Sequence, residues 1–127
     1  MKCKRPAILI LSAAGSLISA IALAGSQVNE AVTFDTVLLK AVGDLGWVRK
    51  TPDTTQYIGC TSTGGNFASC FAVDSTGLGH SCVTTDPEEL AQVRSLRGDP
   101  RLVFFWTPTT GLCDGIVVVN NSETAPK

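Results

Sequence analysis

The residues of this chain that could do chemistry lie between Ile58 and Val119: Cys60, Cys70, Cys82 and Cys113, with the single histidine, His80, two places before Cys82. His80-Ser81-Cys82 holds the residue types of a base and a nucleophile. A catalytic cysteine must be a free thiolate, whereas an even set of cysteines in a short exported chain reads as a disulfide framework. A Ser-His-Asp arrangement could be drawn from Ser75 or Ser81, His80 and Asp86, but no Gly-x-Ser-x-Gly elbow accompanies it. The expected role of His80 is therefore that of a strand histidine with ordinary hydrogen bonds, and the expected role of the four cysteines is covalent. No catalytic residue is assigned.

Export is read from the N-terminus. Met1-Lys2-Cys3-Lys4-Arg5 is basic, Ala7 to Leu23 is apolar, and Ala22-Leu23-Ala24 is a small-x-small site. These are the three regions of a secretory signal peptide. Ser12, Gly15, Ser16 and Ser19 dilute the apolar run and no second basic patch follows, which favours cleavage near Ala24 over a retained membrane anchor. Gly25-Ser26 stands where a lipoprotein would need a cysteine. Cleavage removes Lys2, Cys3, Lys4 and Arg5, leaving 103 residues, four cysteines, and seven bases against eleven acids. The net charge of −4 argues against nucleic acid, which needs a basic surface. The expected location is secreted or periplasmic, with no membrane attachment after cleavage.

The elements that must position the cysteines follow from periodicity and turn chemistry. Phe34, Val37, Leu38, Ala41, Val42 and Leu45 recur at helical spacing and predict a helix from Glu30 to Val42, although Val32, Thr33, Phe34, Thr36 and Val37 prefer strands. Gly46 to Gln56 reads as loop, with a short extended piece around Trp47-Val48. Three strands are expected at Tyr57 to Thr61, Phe67 to Val73 and Gly79 to Thr84, joined through Gly64-Gly65-Asn66 and Ser75-Thr76-Gly77. Three-residue loops put Cys60 opposite Cys70, and Cys70 opposite Cys82, on one sheet face. Asp86 as N-cap, Pro87 at the first position and Glu89 three residues on mark a helix over 86–97, ended by Gly98-Asp99-Pro100. Arg101 to Thr107 and Leu112 to Asn120 complete the set as strands. Their continuous apolar runs, Val103-Phe104-Phe105-Trp106 and Ile116-Val117-Val118-Val119, predict cover on both faces, by the Asp86 helix and by the N-terminal helix or a partner. The chain divides into 1–24 leader, 25–56 N-terminal segment, 57–120 disulfide-stapled core and 121–127 flexible tail. The fold class is α+β, a mainly antiparallel sheet of about five strands.

Four cysteines allow three pairings. Strands lie about 4.8 Å apart, so Cys60 and Cys82, two strands from each other, are separated by roughly 10 Å and cannot bond. Cys60–Cys70 with Cys82–Cys113, and Cys70–Cys82 with Cys60–Cys113, both remain open. The first is favoured because Cys82–Cys113 would staple the last hairpin to the sheet across the helix.

Other candidates are weaker. One histidine and bridged cysteines cannot build a zinc site, and Asp74 with Ser75 and Thr76 lacks the carboxylates of a calcium loop, so Asp74 is expected to cap a turn. No metal or cofactor is expected. Trp47, Tyr57 and Trp106 could form a stacking surface for a glycan or protein partner. Arg94, Arg97 and Arg101, with Arg49 and Lys50, could gather at the helix end as an anion site. Asn120-Asn121-Ser122 fits the N-glycosylation pattern.

The pattern Cys70-Phe-Ala-x-Asp74, Gly77, Cys82-x-Thr-Thr-Asp-Pro87, then Phe105-Trp106 and Gly111-x-Cys113 resembles small exported bacterial disulfide-containing proteins of unknown function that form no named family. The resemblance covers about half of the mature chain and implies no site residue. The sequence is read as a binding or interaction module, with a small secreted hydrolase using His80 and an envelope structural component as alternatives.

Overall fold

The computed structural model describes residues 29–121. The leader expected at 1–24 lies outside them, as does the expected tail beyond Asn121. The chain forms β1 (Thr33–Asp35), β2 (Lys40–Asp44), α1 (Leu45–Lys50), β3 (Tyr57–Ser62), β4 (Ala68–Val73), β5 (Gly79–Thr84), α2 (Pro87–Arg94), β6 (Arg101–Trp106) and β7 (Cys113–Val119). The class is α+β and mostly sheet. The strands fall into two antiparallel sheets, in the orders β1-β2-β6-β7 and β3-β4-β5.

The N-terminal segment corrects the expected helix. Thr33 to Asp44 is a β-hairpin, not a helix, and its strand β2 lies between β1 and β6 in the larger sheet. Strand propensity at Val32-Thr33-Phe34 prevails over the helical spacing because β2 gains a ladder with β6, from Lys40↔Phe105 to Asp44↔Arg101. The tip is closed by the Asp35 carboxylate, which accepts the amides of Val37 and Leu38 at 2.9 and 2.8 Å, and by Leu39 at φ 52°. Val37 and Leu38, counted in the helical spacing, stand exposed there. Trp47-Val48, expected extended within a loop, belongs to α1. The N-terminal segment thus widens the sheet and does not cover it, and the outer face of β6 and β7 carries Val103, Phe105 and Val117 with Val117 exposed.

The two sheets face one another. Ile58 Cγ2 of β3 lies 3.2 Å from where a side chain on Gly43 of β2 would begin, and Leu102, Phe104, Cys70, Cys82 and Ala72 fill the space between the layers. Backbone also links them: Val83 donates to the Gly111 carbonyl at 3.0 Å. Helix α2 starts as its sequence requires, with Asp86 Oδ1 accepting the amides of Glu88 and Glu89 at 2.9 and 3.1 Å, a cap worth about 1 kcal/mol. It inserts Leu90 and Val93, and burial of the leucine alone contributes about 1.5–3 kcal/mol. It ends at Arg94, three residues before the expected limit, because its last turn tightens and Leu96 N–H bonds the Val93 carbonyl at 3.1 Å.

Two features fix the ends of the larger sheet. Arg101 Nε and Nη2 donate to the buried Asp44 carboxylate at 2.8 and 3.2 Å, and Glu30 Oε2 lies 3.1 Å from the same Nε. Between β6 and β7 the register shifts: Phe104 pairs with Ile116, but Trp106 pairs with Cys113. Asp114 and Gly115 thus share one partner position, with Gly115 at φ 140° beneath the Phe105 ring. This bulge reverses the in–out alternation, so Cys113 faces inward with Trp106.

Candidate functional site

The three-stranded sheet presents two unlike faces. Ile58, Cys60, Ala68, Cys70, Ala72, His80 and Cys82 turn inward, so the intervening residues turn out. On that outer face stand Tyr57, at the start of β3, and Phe71, on the middle strand, 48% and 45% exposed, with ring centroids 6.0 Å apart. Both rings lie along glycines. A side chain on Gly59 would meet the Tyr57 hydroxyl at 2.9 Å, and one on Gly79 would meet the Phe71 ring at 3.4 Å. Thr61, Ser69 and Ser81 add hydroxyls, Val73 and Val83 add aliphatic surface, and no strand residue of this face is Asp, Glu, Lys or Arg. An exposed aromatic pair on a charge-free ground can stack on or pack against a partner, with hydroxyls to orient it.

The covalent framework behind this face is complete. Cys60 is bonded to Cys70 within the sheet, and Cys82 to Cys113 across the two sheets. Two disulfides suit an oxidising environment. No helix of the described residues is long and apolar enough to cross a membrane.

His80 is placed away from any nucleophile. It projects inward and stacks on Trp106, with Phe34 edge-on at 4.8 Å. Ser81, its neighbour, points to the opposite face, Asp86 is occupied in capping α2, and Ser75 lies in the exposed β4–β5 turn. The structure thus does not bring a serine, His80 and Asp86 together, and ring contacts with Trp106 and Phe34 hold the imidazole. Trp106, 7% exposed, joins this inner cluster, which separates it from Trp47 and Tyr57.

Asp74 caps its turn. Its Oδ1 accepts the Thr76 hydroxyl at 2.6 Å and the amides of Thr76 and Leu78 at 2.9 and 3.1 Å, and Gly77 takes φ 87°. The Thr76 hydroxyl first, and then these amides, hold the Asp74 carboxyl below the usual carboxylate range. Among the described residues no three His, Cys, Asp or Glu side chains converge to hold a metal ion. Three of the arginines are engaged with separate partners: Arg101 bonds Asp44, Arg49 bonds Asp99 at 2.8 Å, and Arg94 reaches the Gly65 carbonyl at 3.4 Å.

A cleft of about 560 Å³ opens between α2 and the start of β7. Asp86, Glu88, Glu89 and Asp114 line it, with Cys113 and Leu112 on the β7 side. Asp86 is spent on the helix cap and Glu89 is hydrogen-bonded to the Thr84 hydroxyl, so these two carboxylates serve the fold first.

Sequence reasoning missed Phe71, Gly59 and Gly79. The signal was present: once Cys70 and Cys82 face inward, alternation alone turns Phe71 outward, between glycines on its neighbouring strands. No family model matches the chain, and neither a curated protein nor a solved structure matches it.

Proposed function

We propose that the chain is an exported binding module, secreted or periplasmic in a bacterial cell after loss of its leader, that engages a protein or glycan partner through the outer face of β3-β4-β5. The observation that carries this reading is the exposed Tyr57–Phe71 pair on a strand face without formal charge. Such a patch costs solubility and adds nothing to the core, which is complete on the other side of the sheet. Export is supported by the basic, apolar and small-residue leader and by the two disulfides.

The test uses the oxidised protein immobilised and exposed to the envelope or culture-fluid fraction of its own cell. A Phe71→Ser variant should keep both disulfides and its unfolding midpoint, because the ring is exposed, and should lose about tenfold or more in retained partner, as expected when a contact worth at least 1.4 kcal/mol is removed. Equal retention by both proteins would discard this face as the site.

A further inference from the structure

Cys70 stands directly opposite two other cysteines, Cys60 on β3 and Cys82 on β5. All three side chains enter the core from one face of the sheet, and Cys70 and Cys82 are fully buried. The Cα atoms of Cys60 and Cys70 are 4.0 Å apart, which marks the close, non-hydrogen-bonded kind of antiparallel pair. The main-chain N–H and C=O of Cys70 therefore turn toward β5. Cys70 and Cys82 make the wide, hydrogen-bonded pair, whose Cα atoms lie about 5.5 Å apart. That separation is within the span of a disulfide. The Cβ atoms of a wide pair stand near the long end of about 4.5–5.5 Å, so β5 must close on β4 by about 1 Å for Cys70 to bond Cys82 as it bonds Cys60. With that shift Cys70 reaches either neighbour, and Cys82 is withheld from it by its bond to Cys113.

We propose that Cys60, Cys70 and Cys82 form a thiol–disulfide relay, released when the Cys82–Cys113 bond is reduced. An external dithiol supplies two electrons and two protons to that bond and is itself oxidised to a disulfide, leaving thiols at Cys82 and Cys113. The Cys82 thiolate then attacks Sγ of Cys70. A Cys70–Cys82 bond forms, the Cys60–Cys70 bond breaks, and the electron pair departs on the Cys60 sulfur, which takes up a proton equivalent to the one Cys82 released. This second step consumes no electrons. The three cysteines lie in a row across adjacent strands about 4.8 Å apart, so the leaving sulfur is on the far side of Cys70 from the attacking one. While Cys70 holds Cys82, Cys113 stands as a free thiol. Because Cys113 lines the cleft between α2 and β7, the exchange leaves that cleft unstapled. The relay goes beyond the binding reading and does not depend on it.

A Cys113→Ser variant isolates the second step. The folded protein is incubated near neutral pH without reductant, quenched in acid, alkylated under denaturing conditions and cleaved after Phe67 and Phe71, which separates the three cysteines into different peptides. Both Cys60–Cys70 and Cys70–Cys82 linkages are expected, with alkylation shared between Cys82 and Cys60. Cys60–Cys82, whose partners lie two strands apart, should be absent, and this separates the relay from scrambling through unfolded chains. Alkylation confined to Cys82, or a Cys60–Cys82 linkage in comparable yield, would refute the relay. Should the variant not fold, the unmodified protein treated with one equivalent of dithiothreitol gives the same readout. The relay then requires Cys70–Cys82 among the species with one disulfide, and its absence there counts against the proposal equally.

Discussion

His80 lies flat against Trp106, with 4.1 Å between ring centroids and 12° between ring planes. The pair joins β5 of one sheet to β6 of the other, and Phe34 of β1 closes it edge-on. A histidine spent on this contact is a packing residue. His80→Ala should lower stability by about 1–3 kcal/mol, of which 0.5–1.5 kcal/mol is ring pairing beyond area burial, and His80→Phe should restore most of it. Urea unfolding of the three proteins checks the order.

Gly46 leaves no room for a side chain. A Cβ there would lie 2.6 Å from both Cβ and Cγ of Asp99, a residue fixed by its ion pair with Arg49. Gly46→Ala gains about 1 kcal/mol in helix propensity, but the forced shift costs about 1–3 kcal/mol, so the net change should be destabilising. At Gly64 and Gly65 an added Cβ meets nothing within 4 Å and φ is not positive. Alanine at either should be neutral, or stabilising by up to about 1 kcal/mol, in the same unfolding measurement.

The two disulfides should differ in worth. Cys82–Cys113 spans 31 residues of sequence and Cys60–Cys70 spans 10. On chain entropy, removing the first as a Cys→Ala pair costs about 3.5–4 kcal/mol and removing the second about 2.5–3 kcal/mol. Denaturation midpoints of the two double variants, each with the other bond intact, should fall in that order.

The acid limb of stability should contain the turn at Asp74. The folded-state carboxyl titrates below its unfolded value, with the Thr76 hydroxyl as the leading cause. Its stabilisation is fully present above the unfolded carboxyl range, near about pH 3.9, and is lost as pH falls through the lowered folded value. Asp35 and Asp53, held low chiefly by the Leu38 amide and the Gln56 side chain, act in the same direction. Asp74→Asn should therefore lower the melting temperature more at about pH 6 than at about pH 2.5, which lies below the unfolded carboxyl range.

What the sequence disclosed depended on how local the deciding interaction was. The registers Cys60↔Cys70 and Cys70↔Cys82 were legible because three-residue loops and Gly77 at positive φ set them within each hairpin. The α2 cap was legible because Asp86, Pro87 and Glu89 carry the whole motif. The segment from Thr33 to Asp44 was not, because its ladder partner, β6, lies some sixty residues away and outweighs the helical spacing of its own apolar residues. The division into two sheets was hidden for the same reason. Of the candidate surface, Tyr57 was legible as an aromatic residue, whereas Phe71 required knowing first which face the cysteines took.

The bulge at Asp114–Gly115 makes the covalent topology depend on counting. β7 spends one residue more than β6 over the same stretch, and that surplus turns Cys113 toward Cys82. Had the same sequence kept an unbroken register from Ile116, Asp114 would stand opposite Trp106 and Cys113 would turn to solvent. Deleting Asp114 removes the surplus instead, leaving Gly115 alone opposite Phe105 and Cys113 opposite Trp106, still facing inward. The bulge thus absorbs the odd residue that would otherwise cost the cross-link, and the strand can lose that residue without losing the bond.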